Sequence, residues 1–303
     1  MGGGARAPRF IYTGVEVSDF KRSVGFYRDV IGMKCLFTTT IKETGGSVAW
    51  FQSRGGDQIL ELNWYPDRDW SPGSSLDHLG FVVDDAAAWQ KQVTQGGGRE
   101  SPDAAVDAEN FQLRFAFDPD GIPLELIQPK KGKLPKSAKF VYTGIRVTDL
   151  GAATKWYCEV MGMKSEGEGY AEWTGGRTVS LLSPGGKQRL ELNWYPGSYT
   201  EAFRRGGSEL DHLCFEVEDC DGWFLKLGSM GHKQLIAPFD EGHWRLAYVE
   251  GPDGECLEIG HRLKKRVIGR RRKHTAKKKP RPAKPRRPMK AASPNAPRSK
   301  RRR

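Results

Sequence analysis

The chain has 303 residues, room for two domains of about 150 each, and a formal net charge of +12. That charge is uneven: residues 262–303 hold 21 Lys/Arg and no Asp/Glu, leaving 28 basic against 37 acidic residues in positions 1–261, a net of −9. No apolar run approaches the ~18–20 residues of a membrane span, the first eight residues lack a signal peptide's apolar core, and Arg6 stands where a myristoylation signal places Ser or Thr.

Five scattered cysteines (Cys35, Cys158, Cys214, Cys220, Cys256) include no C-x-x-C pair, and their total is odd. They suit free thiols in a reducing compartment better than a disulfide framework. The expectation is a soluble cytoplasmic protein.

In chain order, residues 1–8 read as a lead-in and Phe10–Val17 as a strand. Ser18-Asp19 offers an N-cap to a helix with Phe20, Val24, Tyr27, Val30 and Ile31 at helical spacing, closed by Gly32. Three strands follow at 33–39, 47–52 and 58–65, with glycine or charged turns between them. A second β-α-β-β-β unit restarts at Asp77-His78, with a helix over 85–95 facing Ala88, Trp89 and Val93 inward. A weak strand between Arg99 and Asn110 and strands at 111–117 and 123–128 complete it, the last two joined by the turn Asp118-Pro-Asp-Gly121.

The second half repeats the first. Glu61-Leu-Asn-Trp-Tyr-Pro66 returns as Glu191-Leu-Asn-Trp-Tyr-Pro196, and Tyr12-Thr-Gly as Tyr142-Thr-Gly. Likewise Asp77-His-Leu returns as Asp211-His-Leu, and the Asp118 turn as Gly251-Pro-Asp-Gly254. The expected fold is α+β: four βαβββ modules in two tandem pairs, forming mixed-sheet, barrel-like clefts. The expected domains are 9–129 and 140–261, joined by a linker at 130–139. Residues 262–303 form a Lys/Arg/Pro-rich tail expected to be disordered, suited to sequence-independent contact with nucleic acid or another polyanion.

Three residues recur in register in each half: Glu61, His78 and Glu125, then Glu191, His212 and Glu258. Period-two alternation puts Glu61 and Asn63 on one strand face, with Leu60, Leu62 and Trp64 on the other, toward the helices. A half-buried carboxylate is costly unless it is paired or holds a metal. An imidazole with two carboxylates is a ligand set for Zn, Ni, Mn or Fe.

These stretches, with Val17-Ser-Asp-Phe-Lys-Arg-Ser-Val-Gly-Phe-Tyr27 and Asp118-Pro-Asp-Gly-Ile-Pro-Leu-Glu125, resemble the vicinal oxygen chelate superfamily over residues 9–261, and within it glyoxalase I. The resemblance implies two glyoxalase-like domains and a divalent metal held by Glu61, His78, Glu125, Glu191, His212 and Glu258. Tyr12 and Tyr142 stand where the family's first ligand is a histidine, so they too are candidate ligands.

It also implies a lyase or isomerase that moves a proton in a hemithioacetal of glutathione and methylglyoxal, with Glu125 and Glu258 as the catalytic carboxylates. A family arginine for glutathione's carboxylate falls at Arg146, where the first half has Glu16, and Asn63 and Asn193 complete the expected substrate contacts. The alternatives are a ligand-sequestering protein of the bleomycin-resistance kind and an extradiol dioxygenase, whose triad of two histidines and one carboxylate would lack a histidine here. The two sites assemble either as Tyr12, Glu61, His212, Glu258 and Tyr142, Glu191, His78, Glu125, across the tandem pairs, or within each pair.

Overall fold

A computed structural model describes residues 6–42, 44–102, 105–197 and 208–263; the basic tail lies outside the described residues, save its first two positions. The first module comprises β1 (Arg9–Glu16), α1 (Phe20–Gly25), β2 (Lys34–Thr40), β3 (Ser47–Gln52) and β4 (Ile59–Trp64). The second runs through β5 (Leu76–Val82), α2 (Ala86–Gln95), two-residue strands β6 (Arg99–Glu100) and β7 (Val106–Asp107), β8 (Phe111–Phe117) and β9 (Pro123–Pro129). The third holds β10 (Lys139–Arg146), α3 (Leu150–Glu159), β11 (Lys164–Ala171), β12 (Gly176–Leu182) and β13 (Arg189–Trp194). The fourth holds β14 (Leu210–Glu216), α4 (Cys220–Ser229), β15 (Gln234–Glu241), β16 (Trp244–Glu250) and β17 (Cys256–Arg262).

Within a module the first strand pairs in parallel with the last, as β1 does with β4 and β10 with β13. A parallel pairing needs a crossover, which the helix supplies. Asp19 caps α1 by accepting from the Arg22 N–H at 3.0 Å, and Gly32, at φ 79°, supplies the left-handed turn that ends the segment. The expected single helix there is α-helical only to Gly25 and then passes into a π turn over Phe26–Val30; its counterpart α3 remains α-helical. On α2 the buried residues are Ala86 and Val93, with Trp89 packed beside them, while Ala88 faces solvent. Ala86, Trp89 and Val93 follow the i, i+3, i+7 stripe; Ala88 lies off it.

Modules join across the tandem pairs. One sheet has the order β15-β16-β17-β14-β1-β4-β3-β2 and the other β11-β12-β13-β10-β5-β9-β8-β6. The first module thus shares a sheet with the fourth, and the second with the third, through the antiparallel junctions β1–β14 and β5–β10. The tandem partners meet differently. Asp120 Oδ1 accepts from the Ser18 N–H at 2.9 Å and its hydroxyl at 2.6 Å, while Asp118 Oδ2 accepts from Tyr27 at 2.9 Å. In the second half, Asp253 accepts from Thr148 in the same manner and Glu255 from Tyr157.

The two sheets touch where the repeats meet. The Thr13 and Thr143 hydroxyls lie 2.6 Å apart, fully buried. Gln58 exchanges two bonds with the backbone of Arg189, at 2.9 and 3.0 Å. The helix-facing sides of the strands form the core: Leu60, Leu62, Leu190 and Leu192 are completely buried. All five cysteines are free. Among the described residues no helix is long and apolar enough to cross a membrane.

Candidate functional site

Because β4 turns its leucines to the helices, Glu61 and Asn63 point to the opposite face. The junction β1–β14 brings His212 and Glu258 to the same face. Two clusters result, one per sheet, and both follow the across-pair arrangement. Glu61 Oε1 and Glu258 Oε2 each lie 3.4 Å from His212 Nε2, and Tyr12 donates to Glu258 Oε1 at 2.8 Å. In the second sheet Glu125 Oε2 and Glu191 Oε1 each lie 3.5 Å from His78 Nε2, and Tyr142 donates to Glu125.

Glycines make room for the rings. A Cβ at Gly14 would stand 2.6 Å from His212 Cε1, and one at Gly144 would stand 2.8 Å from His78 Cε1, distances that no packed side chain tolerates.

Each histidine is held by the aspartate before it: Nδ1 lies 2.8 Å from Asp77 Oδ1 for His78 and 2.9 Å from Asp211 Oδ2 for His212. Neighbours on a strand normally face opposite ways. Here the register shifts at these residues, so that Gly144 opposes His78 while Ile145 opposes Leu76, with the same shift at Asp211. Such a bulge lets both side chains serve one face. With Asp at Nδ1, Nε2 is the nitrogen turned toward the two carboxylates.

Tyr195 donates to Asp77 at 2.9 Å and Tyr65 to Asp211 at 3.2 Å. A ligand set read from residue type alone leaves out these aspartates and tyrosines. Their signal was present in the repeated Asp-His pair and the repeated hexapeptide.

Burial alone would lower His78, but the charge of Glu125 and the bonds to Asp77 and Glu191 lift it well above the ordinary imidazole range. Burial raises Glu125, outweighing the pull of the His78 charge. Asp77 moves the other way, to about 2: burial opposes, but the His78 bond and charge and the Arg146 charge prevail. In the first cluster burial lifts Glu61 to about 7. His212 stands at about 10, burial being overcome by the Glu258 charge and Asp211. Burial also raises both phenols well above their ordinary value, so Tyr12 and Tyr142 remain hydrogen-bond donors.

The surroundings divide the two clusters. In the first, every carboxylate oxygen already has a protein donor. Asn63 at 2.9 Å and Trp50 serve Glu61; Tyr12, Cys214 at 3.1 Å and Tyr248 at 2.5 Å serve Glu258. Trp50 also lies against Tyr12, ring centroids 4.6 Å apart, and Phe37 against Trp50 at 5.0 Å. The corresponding positions in the second sheet are Ser180, Gly80 and Phe115, by the strand pairings that place Ser180 beside Glu191 and Phe115 beside Glu125. None of these three brings a comparable donor, and a cavity of about 530 Å³ opens there onto His78, Glu125, Glu191 and Tyr142. Glu191 faces it with 17% of its side chain exposed.

Metal fit can be tested on spacing. Tetrahedral N and O ligands about 2.1 Å from one ion lie about 3.4 Å apart, and the imidazole–carboxylate separations are 3.4 to 3.5 Å in both clusters. The Tyr12 hydroxyl, 2.8 Å from Glu258, is instead at hydrogen-bonding length. Among the described residues no three His, Cys, Asp or Glu side chains form a compact metal-binding group, so the fit rests on donor chemistry and pairwise spacing. Both clusters meet both conditions, and in the second Tyr142 donates to Glu125 and lies 3.3 Å from His78 Nε2. In the first, the protein itself occupies the carboxylate oxygens, while His212 Nε2 is buried without a hydrogen bond.

Of the expected substrate contacts, Asn193 and Arg146 line the cavity, whereas Asn63 is buried against Glu61. Arg146 gives Nε and Nη2 to Asp77, both at 2.9 Å. In the first half Glu16 takes the place of Arg146. Arg68, from the loop after β4, reaches Glu16 at 3.3 Å and Asp211 at 3.5 Å.

A family model described as the Glyoxalase/Bleomycin resistance protein/Dioxygenase superfamily matches residues 9–126 and again 139–259. The lactoylglutathione lyase of Shigella flexneri is 33% identical over 127 residues, 40% of this chain and 93% of that protein. An Arabidopsis thaliana lactoylglutathione lyase is 30% identical over 160 residues, 52% of this chain and 55% of that protein. The crystal structure of glyoxalase I from Zea mays superposes with a TM-score of 0.69 at 20% identity, covering 84% of this chain and 92% of that one.

Proposed function

The chain belongs to the Glyoxalase/Bleomycin resistance protein/Dioxygenase superfamily, and on that premise we propose that its second cleft carries out glyoxalase-type lyase or isomerase chemistry. The observation that carries this reading is the cavity of about 530 Å³ opening onto His78, Glu125 and Glu191. It is large enough for a small organic substrate. His78, Glu125 and Glu191 would hold a divalent ion (Zn, Ni, Mn or Fe), which when bound supplies Lewis-acid polarisation of two substrate oxygens.

The protein's own residues do the rest. Asp77 fixes His78 through Nδ1, and Tyr195 and Arg146 fix Asp77. Glu125 is the base: a carboxylate oxygen takes a proton from one substrate carbon and returns it to the adjacent one. Tyr142 orients that carboxylate by donating to it. The relatives named lactoylglutathione lyase make a hemithioacetal of glutathione and methylglyoxal the first substrate to test.

On this reading the first cluster is a hydrogen-bonded support with no metal. Reconstituted protein should hold about one divalent ion per chain and isomerise a hemithioacetal. Glu125→Gln and Glu191→Gln should abolish turnover, whereas Glu258→Gln should leave it. Two ions per chain with equal sensitivity to Glu125→Gln and Glu258→Gln would instead make both clefts active. Metal-free protein that binds but never converts the substrate would favour the ligand-sequestering reading.

A further inference from the structure

We propose that the end of the two sheets away from the second cleft is a docking surface for duplex nucleic acid, held through its phosphates without sequence readout. This goes beyond the lyase reading and does not rest on it.

The linker carries the main observation. Residues 130–139 hold Lys130, Lys131, Lys133, Lys136 and Lys139 and no Asp or Glu, within a body (positions 1–261) of 28 basic and 37 acidic residues. Lys130 pairs with Asp107 at 2.5 Å. Lys131, Lys133 and Lys136 are exposed, and among the described residues neither they nor Lys139 form an ion pair.

Packing extends the linker into a wider basic face. The turn between β3 and β4 lies against it: Ser53 Oγ accepts from the Phe140 N–H at 2.8 Å, and a Cβ at Gly56 would stand 3.6 Å from Lys139 Cγ. That turn adds the exposed Arg54. It also meets the β12–β13 turn, where Lys187 reaches Asp57 at 3.3 Å, and at the start of β1 Arg9 pairs with Glu216. Both of those carboxylates therefore have basic partners of their own.

Strand direction sets this face apart from the catalytic cavity. β10 runs from Lys139 here to Arg146 at the cavity, which no residue of the linker or of the two turns lines. β17 also ends on this side, since Gly260 opposes Glu216 and Glu216 opposes Arg9. The chain leaves its last strand here, and positions 264–303 then add 20 Lys/Arg and no Asp/Glu.

Unpaired lysines spread over several segments suit a phosphate array, whose condensed counterions they release, and they carry no means of reading bases. Neither the linker nor positions 264–303 contain Phe, Tyr or Trp, the rings on which single-stranded bases stack. A duplex is the partner this chemistry fits.

The experiment titrates the full chain into a labelled, random-sequence DNA duplex and follows anisotropy across a salt series. An Arg54→Gln/Lys131→Gln/Lys133→Gln/Lys136→Gln variant alters exposed side chains only. Its loss of four phosphate contacts, at about 0.9 each, should lower the slope of log K against log salt by about 3 to 4 and weaken binding at least about tenfold. Lys21→Gln/Lys91→Gln/Lys155→Gln, on exposed helix positions, should lower the slope by less than about one. Equal affinity and slope in parent and quadruple variant overturns the docking surface, as does an equal loss in both variants, which would reduce the effect to net charge. A single strand of the same length bound as tightly as the duplex, or phosphatidylserine vesicles bound in preference to it, overturns the choice of partner.

Discussion

Replacing Tyr142 by Phe removes one hydroxyl from the second cleft and separates two roles for the residue that stands where the family places a histidine. As a ligand, Tyr142 would be needed for metal binding; as a donor to Glu125, it would be needed to position and tune that carboxylate. A hydrogen bond to a charged group contributes about 1.5–3 kcal/mol. Tyr142 is half-buried, so the lower end applies, a fall of roughly 3–6 °C in unfolding temperature for a unit of this size.

The bond also pulls the Glu125 pKa down against the larger upward effect of burial. Its loss therefore raises the pKa further, and a greater fraction of Glu125 is protonated at any given pH. The acid limb of the kcat/KM profile should move to higher pH, with metal content unchanged. Metal analysis, a thermal melt and a pH–rate profile on one preparation decide the matter. Loss of stoichiometric metal in Tyr142→Phe would make the phenol a ligand, and an unmoved acid limb would detach it from Glu125. Tyr12→Phe is the matched control, with a stability cost and no effect on the profile.

Adding one methyl at Gly144 or Gly14 should cost about 1–3 kcal/mol in either case, from overpacking against the histidine ring. Gly144→Ala should also displace His78 and remove activity, while Gly14→Ala should keep it, as denaturation curves and turnover would show. Asp118, raised by burial from 3.8 to about 7, favours the fold most below pH 3.8, and that contribution is lost as pH rises through about 7. The stability of Asp118→Asn relative to the parent should therefore grow between pH 4 and 8, by at most about 4 kcal/mol; a flat difference in urea midpoints would contradict this. Opening the first cluster with Trp50→Ser, Tyr248→Phe and Cys214→Gly should raise metal content from about one to about two equivalents per chain.

Where the chain obeys simple periodicity, the sequence was enough. Glu61 between two buried leucines could be assigned to the cleft face by alternation alone, and the paired turns at Asp118 and Gly251 marked the last strand of each half. Alternation misled where the strand bulges. Asp77 and Asp211 would be assigned to the face opposite His78 and His212, and only the shifted register shows that they share it.

The partnering of modules was illegible for another reason. All four present a similar first-strand edge, so nothing local separates joining across pairs from joining within them. Compensating changes were hidden too. Gly251 stands where the first half has Asp118, and the Glu255 carboxylate fills that space, 2.3 Å from where a Gly251 Cβ would lie. Glu255 thereby accepts from Tyr157 as Asp118 accepts from Tyr27. A residue-by-residue alignment of the repeats misses such a swap because the function has moved four positions.

The same logic explains how one duplicated donor set can sit in two different surroundings. Two carboxylates and one imidazole in a buried site leave negative charge that must be met by a proton, a hydrogen-bond donor or a cation. In the first cluster Trp50, Cys214 and Tyr248 join Tyr12 and Asn63 to meet it from within the protein. In the second, Ser180, Gly80 and Phe115 bring no comparable donor. Asn193 also turns to the backbone carbonyl of Glu191 and away from its carboxylate.

Gly80 makes the exchange hard to reverse one residue at a time. The Tyr142 ring stands 2.5 Å from where a Cβ at that position would lie, so a cysteine there would push the phenol off Glu125. The difference between the clefts therefore lies in what surrounds the ligand set. In the first cluster the polypeptide supplies the donors the carboxylates demand; in the second the strand neighbours of the carboxylates do not.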